Sequence, residues 1–293
     1  MQNIIHVLSG IVIFLYSVAQ QPIGTGFIVG YLVSEDGKNV IPIIVTAKHV
    51  VGDNNKILAR FSTKEGEMPG FVEYDIGNLK QNNDYWEHPS DEGVDIAAFR
   101  TPHFNQADYK PFPLDLIATK NIFNELNICE TDRIIFPSLL VNFMGFSRNY
   151  PVMRDGTIAL IPQEKVPMKY KVGSKEINTK QEVILADTIS IPGASGSPIF
   201  LWPGPRIVNG SFQVGGTKPF LIGIMHGFYP AIPREIIELQ TTETKAMYQE
   251  NSGIAIIFPS WKLNDIFKQK SFLNRIEELK NKIKTDEIKS LKN

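Results

Sequence analysis

The chain is poor in cysteine, and this scarcity excludes two kinds of structure. Cys129 is the single cysteine among 293 residues. One thiol cannot close an intrachain disulfide, and it cannot build the multi-cysteine sites that hold zinc or iron–sulfur clusters. Because such cysteine usage is typical of a reducing compartment, we predict a cytoplasmic protein.

An excess of positive charge is also missing. Thirty Lys and Arg stand against 31 Asp and Glu, so the formal net charge is −1. Such a balance leaves no surplus cations to neutralise a run of phosphates, and we predict no nucleic-acid partner. The 43% of hydrophobic and 21% of charged residues are typical of a globular protein and exclude disorder, collagen and coiled coil as the main state.

The chain has no hydrophobic run as long as a membrane helix. The longest apolar stretch, residues 4–19, is interrupted by His6, Ser9 and Ser17 and falls short of the ~20 residues that a span needs. We therefore predict no membrane span. The alternative is an exported protein in which residues 1–19 act as a signal peptide, although the first basic residue is Lys38. We interpret residues 10–17 and 27–33, both rich in β-branched and aromatic residues, as a hairpin of the fold.

Short β-type runs broken by Gly, Pro, Asn and Asp fill residues 10 to about 260 and predict an all-β fold built from barrels. The stretch that is least typical of strands, Thr101 to Asp132, is the expected connection between two halves. We predict domains at 1–118 and 119–260, followed by a helical tail at 261–293. The predicted strands are Val40 to Val45, Ile57 to Phe61, Ile96 to Phe99, Arg133 to Phe136, Leu139 to Phe143, Thr157 to Ile161, Val183 to Leu185, Ile199 to Leu201, Phe220 to Ile224 and Ile254 to Phe258.

The tail has the spacing of one helix face. Phe272, Ile276, Leu279 and Ile283 recur at steps of four, three and four residues. We interpret the tail as an amphipathic helix that lies on the barrel with its lysines in solvent. A protein partner that docks through this helix is the alternative.

Three segments carry side chains suited to nucleophilic catalysis. His49 ends a strand-like run, Asp95 begins another, and Ser195 lies in Pro192-Gly193-Ala194-Ser195-Gly196-Ser197-Pro198, where small residues allow a sharp turn. Each residue alone is most simply explained as structural. Their order along the chain is His, Asp, Ser, with gaps of 46 and 100 residues. This is the order of the chymotrypsin-type triad, and it differs from the orders in subtilisins and α/β-hydrolases.

These blocks together resemble the signatures of trypsin-like serine peptidases, specifically the disulfide-free bacterial HtrA-like branch, without a PDZ domain. Gly24-Thr25-Gly26-Phe27 is similar to an opening strand motif of that branch. Ser197 stands where most relatives have glycine. The resemblance covers residues 10 to about 265 and implies two six-stranded antiparallel β-barrels of the chymotrypsin-like fold, followed by a C-terminal α-helix.

The resemblance also implies a mechanism without a metal or organic cofactor. Ser195 is expected to attack a peptide carbonyl, His49 to transfer the proton, Asp95 to orient His49, and the amides of Gly193 and Ser195 to form the oxyanion hole. The primary specificity pocket is expected at Ile189, His226, Gly227, Phe228 and Ala255. An apolar floor at Ile189 predicts cleavage after small or medium apolar residues of a protein or peptide substrate.

Two interpretations of His226, as a pocket wall or as a strand filler, stay equally open on the sequence alone. For the whole chain, the main alternative to a serine endopeptidase is a catalytically inactive protease-fold module that binds or acts as a scaffold in a larger assembly.

Overall fold

The computed structural model describes residues 4–33, 39–64, 70–102, 104, 106–202, 204–208, 211–213, 218–230, 234–236, 246–248 and 251–290. In the N-terminal half the strands are β1 Val12–Ser17, β2 Pro22–Leu32, β3 Val40–Thr46, β4 Lys56–Phe61, β5 Gly70–Asp75, β6 Tyr85–Glu87, β7 Ala97–Arg100 and β8 Phe112–Pro113. The helices there are α1 Ile4–Gly10, α2 Lys48–Val51 and α3 Ile76–Gln81.

A short helix, α4 Lys120–Glu125, precedes the C-terminal strands. These are β9 Arg133–Ser138, β10 Val152–Leu160, β11 Val166–Val172, β12 Lys175–Gln181, β13 Ile184–Asp187, β14 Pro198–Leu201, β15 Arg206–Val208, β16 Ser211–Gln213, β17 Leu221–Pro230, β18 Arg234–Ile236, β19 Ala246–Tyr248 and β20 Asn251–Pro259. Two helices follow, α5 Ser260–Lys268 and α6 Lys270–Ser290.

Six strands of the C-terminal half close into an antiparallel barrel in the order β10-β13-β20-β17-β14-β9. The N-terminal strands form a half-barrel, with the pairing path β5-β4-β1-β2-β3-β7-β6 and β8 added in parallel to β2. The all-β class, the C-terminal barrel and the C-terminal helix are thus confirmed. Closure of a second six-stranded barrel is not found among the described strands, because β5 and β6 end this path without pairing with each other.

The apolar segment near the N-terminus is part of the sheet. β1 pairs with β2 on one side and with β4 on the other, and Phe14 and Leu15 are fully buried. The predicted hairpin is therefore present. Among the described residues, no helix combines the length and the apolar character that crossing a bilayer requires.

One predicted strand, Leu139 to Phe143, is wrong: these residues form a loop between β9 and β10. Its backbone is bonded to the other half of the molecule. The N–H of Leu139 donates to the Thr25 hydroxyl, and the buried guanidinium of Arg60 donates to the carbonyls of residues 144–146. The first amide of this apolar run and the carbonyls just after it therefore have partners outside a sheet, and the run forms a loop between them.

The C-terminal helices pack on the half-barrel and on the barrel with their apolar side chains. Phe272 is fully buried against Trp86, with ring centroids 4.8 Å apart, and Ile276 belongs to the same core. Arg275 adds an ion pair to the buried Asp84, with 2.8 Å between Nε and Oδ1. The apolar face of the helix is thus covered by this chain's own core, and docking of a protein partner through the helix stays a prediction.

Candidate active site

His49 is placed by the short helix α2, which follows β3. Its backbone N–H donates to Oδ1 of Asp95 over 2.8 Å, and its Nδ1 lies 2.6 Å from Oδ2 of the same carboxylate. Because main chain and ring are bonded to one carboxylate, the orientation of the imidazole follows that carboxylate. The side chain of His49 is a quarter exposed, so the ring is anchored inside and open to solvent at its edge.

Asp95 is fully buried between Val94 and Ile96, which are fully buried as well. An unpaired carboxylate there would be strongly disfavoured, so its partners decide whether the charge can exist. The segment before it is held by Asp91, whose Oδ1 accepts from the N–H of Gly93. Asp95 thus lies between a braced turn and the start of β7, and both of its carboxylate oxygens contact His49.

A second histidine meets the same carboxylate. Nδ1 of His226, on β17, lies 2.5 Å from Oδ2 of Asp95, and the two imidazole rings stand edge to face with centroids 5.2 Å apart. Sequence reasoning did not find this contact, because it treated His226 as a pocket wall or a strand filler. The separation of 131 residues between the two partners left no local signal for it.

Charge and burial act in opposite directions on this cluster. Burial by itself raises the pKa of the Asp95 carboxyl, but the charges and hydrogen bonds of His49 and His226 outweigh it and hold that pKa well below its usual range. For His49, burial by itself lowers the pKa of the ring, but the charge and hydrogen bond of Asp95 outweigh it and raise the pKa above 6.5. The carboxylate therefore stays ionised, and it favours the imidazolium that a general base becomes.

His49, Asp95 and His226 are also a set of side chains whose ligand atoms lie within 4.8 Å of one another. Two ligands of one tetrahedral zinc ion lie about 3.3 Å apart when each bond is about 2.0 Å. Both nitrogens here are closer than that to the carboxylate oxygen, at 2.6 and 2.5 Å. As placed, the three side chains form a hydrogen-bonded cluster and not a metal centre.

Ser195 lies on a sharp turn before β14. Gly193 and Gly196 on either side of it have φ of +94° and +86°, a region that favours glycine. A Cβ at Gly196 would lie 2.1 Å from the carbonyl oxygen of Thr25, so the two halves of the molecule meet closely here. Thr25 also donates through its N–H to the carbonyl of Ser195 and through its hydroxyl to the carbonyl of Gly193, over 2.9 and 2.6 Å. The N-terminal half therefore holds the turn that presents the serine.

The hydroxyl of Ser195 donates to the carbonyl oxygen of His226 over 2.9 Å. Both Ser195 and His49 are described, and the structure places no hydrogen bond between the hydroxyl and the imidazole of His49. The two side chains nevertheless line one cleft of about 330 Å³. The hydroxyl would have to turn from the carbonyl of His226 toward the imidazole before His49 could accept the hydroxyl proton.

The amides of Gly193 and Ser195 are the donors expected for the oxyanion hole. Within the described part of the chain, neither N–H donates to another backbone carbonyl, whereas the neighbouring N–H of Ala194 donates to the carbonyl of Ile191. Two free amides on one turn can donate to a negatively charged oxygen, which is the property that an oxyanion hole needs.

The structure divides the expected pocket residues into two groups. His226, Gly227 and Phe228 line the cleft beside Ser195. Ile189 is 60% exposed and is not among the residues that line this cleft, and Ala255 is fully buried in the core of the C-terminal barrel. Ile189 comes just after β13 ends, whereas Ala255 faces inward from β20, opposite Ala186.

Sequence reasoning also missed a hairpin that covers the cleft. β11 and β12 are joined by Gly173-Ser174, a two-residue Gly-Ser connection that is a known hairpin signal. The N–H of Ser174 donates to Asp53 over 2.6 Å, so the tip of the hairpin is tied to the N-terminal half. On its inner side Tyr170 packs against His226 with 4.7 Å between ring centroids and donates to the carbonyl of Gly93.

Comparison with protein-family models and with curated proteins finds no match. The chain is similar to the crystal structure of the MamO protease domain from Magnetospirillum magneticum in its apo form, with 13% identity, a TM-score of 0.49, and coverage of 90% of this chain and 100% of that chain. It is also similar to the crystal structure of the active form of the Rv3671c protease from M. tuberculosis, with 15% identity, a TM-score of 0.45, and coverage of 90% and 82%.

Proposed function

We propose that this chain is a serine endopeptidase that uses His49, Asp95 and Ser195. The observation that carries the proposal is the convergence of three distant segments on one cleft. The imidazole of His49 is bonded to the buried Asp95 and faces the cleft that also contains Ser195 on its glycine-flanked turn. A base with an orienting carboxylate beside an exposed hydroxyl is the arrangement that nucleophilic catalysis by serine needs.

The reaction follows from these positions. The Ser195 oxygen bonds to the carbonyl carbon of the substrate while its proton passes to Nε2 of His49. The negative oxygen that results accepts hydrogen bonds from the amides of Gly193 and Ser195. His49 then gives its proton to the leaving amine as the C–N bond breaks. Water, deprotonated by His49, hydrolyses the acyl ester and restores Ser195.

Cleavage after small or medium apolar residues remains our proposal for specificity. The residues that line the cleft include Ile191, Pro192, Gly227 and Phe228, and none of the described lining residues is acidic. A lysine or arginine side chain of a substrate would lose its hydration without gaining a countercharge. A peptide library should therefore show hydrolysis after apolar residues, and a preference for Lys or Arg would contradict this.

Labelling with a fluorophosphonate probe tests the proposal. The full chain should form one covalent adduct, and Ser195→Ala should form none. Ser197→Ala is the matched control, because this second serine of the same turn is fully buried and should not affect labelling. If the folded chain is not labelled between pH 6 and 9, or if Ser195→Ala is still labelled, the proposal is wrong.

One observation favours a second candidate function, a protease-fold module that binds peptides without cleaving them. The Ser195 hydroxyl is bonded to the carbonyl of His226 and not to His49. If this arrangement persists when a peptide occupies the cleft, binding proceeds without acylation. Peptide binding by a chain that no fluorophosphonate labels would support this function over the peptidase.

We also propose that the protein works in the cytoplasm. Residues 12–17 form β1 between β2 and β4, so a cut after Ala19 would remove an internal strand of the sheet. Fractionation of cells that express the full chain should leave it in the cytoplasmic fraction with residues 1–19 attached. A mature N-terminus just after Ala19 in an exported fraction would contradict this.

A further inference from the structure

His226 is bonded to two members of the proposed triad through different groups. Its Nδ1 contacts Oδ2 of Asp95 over 2.5 Å, and its carbonyl oxygen accepts from the hydroxyl of Ser195 over 2.9 Å. The same oxygen of Asp95 also meets Nδ1 of His49 over 2.6 Å. One carboxylate oxygen is therefore shared by two imidazoles, and one of these belongs to a residue with no place in the mechanism above.

We propose that His226 is a positioning residue that anchors Asp95 through the same oxygen that His49 contacts, and whose own protonation decides how much of the Asp95 charge remains to stabilise the imidazolium of His49. This rests on the proposed function for its effect on the rate. The coupling between the two rings is a property of the cluster and exists with or without catalysis.

The proton balance gives the direction of the effect. Neutral His226 donates its Nδ1–H to Asp95 and leaves the negative charge unpaired, so His49 can become an imidazolium beside it. When His226 is protonated on both ring nitrogens, it becomes a cation. Its positive charge then compensates the charge of Asp95 and repels a positive charge on His49. The two rings then titrate as one coupled pair, in which the second proton binds less readily than the first.

The distance between the rings sets the size of the coupling. The centroids lie 5.2 Å apart. At this separation two positive charges repel each other, so a proton on one ring makes protonation of the other ring less favourable. The two rings should therefore take up their protons in two separate steps.

Among the residues that the structure describes, few other titratable groups face the ring of His226. Tyr170 packs on it from β11, and burial, followed by the charge of Asp95, raises the pKa of that phenol, so it stays neutral. Phe258 contacts it from β20 and cannot titrate. Lys169 and Lys171 line the same cleft from the hairpin. Three further carboxylates, Asp91, Glu87 and Glu92, add smaller charge effects that also raise the pKa of this phenol.

Titration of the histidine rings by NMR tests the coupling without any need for activity. In full-length Ser195→Ala protein, His49 and His226 should show two separate titration steps, and both rings should respond to each step. His226→Asn places an amide N–H where Nδ1 was and cannot titrate, so His49 should then show one step. His88→Asn is the matched control, because Nε2 of His88 lies 3.5 Å from Asp265 and the described residues show no contact between His88 and Asp95, so this change should leave both steps unchanged.

Kinetics on the intact chain test the positioning role. The acid limb of log kcat/KM against pH should approach a slope of two in the wild type and in His88→Asn, and a slope of one in His226→Asn. His226→Phe keeps a ring but removes the donor, and its plateau kcat/KM should fall roughly 10- to 100-fold below that of His226→Asn, the worth of one hydrogen bond to a charged group.

The outcomes separate the two proposals. If the two histidines titrate in coupled steps but the chain hydrolyses no peptide, the proposed peptidase activity is refuted, whereas the proposed coupling through Asp95 is not. Hydrolysis with a slope of one in the wild type, or a His49 titration that His226→Asn does not change, would refute the role of His226 alone. Equal plateau rates in folded His226→Asn and His226→Phe would refute the anchoring of Asp95.

Discussion

Replacing Asp95 by asparagine should convert His49 from a proton acceptor into a group that cannot take the proton of Ser195. The amide oxygen can still accept from the N–H of His49, as Oδ1 does now over 2.8 Å. The amide nitrogen would stand where Oδ2 lies, 2.6 Å from Nδ1 of His49 and 2.5 Å from Nδ1 of His226. Because this nitrogen can only donate, His49 must move its own proton to Nε2.

The expected loss is large, because the ring is left in its wrong tautomer while the fold is kept. A triad of this type loses about 10⁴-fold in kcat when its aspartate becomes asparagine, which corresponds to about 5.4 kcal/mol of transition-state stabilisation. We expect a loss of this size in peptide hydrolysis by Asp95→Asn and a similar fall in the rate of fluorophosphonate labelling. Nitrogen NMR of the imidazole should show the proton of His49 on Nε2 in the variant and on Nδ1 in the wild type.

Asp91→Asn provides the matched control. Asp91 braces the same turn by accepting from Gly93 and Gln181, but it does not contact His49. Its substitution should change the rate by no more than a few-fold. If folded Asp95→Asn keeps its rate within tenfold of the wild type, or if its His49 still carries the proton on Nδ1, the orienting role of Asp95 is refuted.

Three further changes should alter stability. The pKa of Asp95 is lowered in the folded state, so its contribution is present above about pH 3.9 and is lost as the pH falls toward that lowered pKa; urea unfolding of Asp95→Asn should show less of this acid sensitivity. Arg60→Met leaves the carbonyls of residues 144–146 without their donor and should lower the free energy of unfolding by at least about 3 kcal/mol, whereas Arg133→Met, at an exposed ion pair, should cost less than about 1 kcal/mol. Ser197→Ala removes a buried hydroxyl without a described partner and should raise the free energy of unfolding by about 1 kcal/mol, and a clear decrease would contradict this.

The local pattern of β-branched and apolar residues in the sequence predicted most of the strands. Runs such as Ile43 to Val45 and Ile254 to Phe258 are rich in β-branched residues and lie inside β3 and β20. Such runs pack well on a pleated surface whatever their neighbours are, so their state can be predicted from a few adjacent residues. The spacing of Phe272 and Ile276 located α6 for a similar reason, because the period of a helix is a local property.

The hairpin of β11 and β12 shows a signal that was present and not used. Its strands carry alternating lysines, as in Lys169 and Lys171, and therefore lack the apolar runs on which strand prediction relied. The Gly173-Ser174 turn was the informative feature. The hairpin matters because Tyr170 covers His226.

The amino-acid sequence by itself determined the chemistry that was available: His49, Asp95 and Ser195 in this order along the chain, with glycines where the serine turn needs positive φ. Only the tertiary structure decided which atoms meet. It placed the imidazole of His226 against Asp95, and it placed the Ser195 hydroxyl where it donates a hydrogen bond to the carbonyl of His226 in β17. The physical reason is range, since backbone preference acts over a few residues whereas a buried carboxylate takes its partners from any segment that the packing brings within 3 Å.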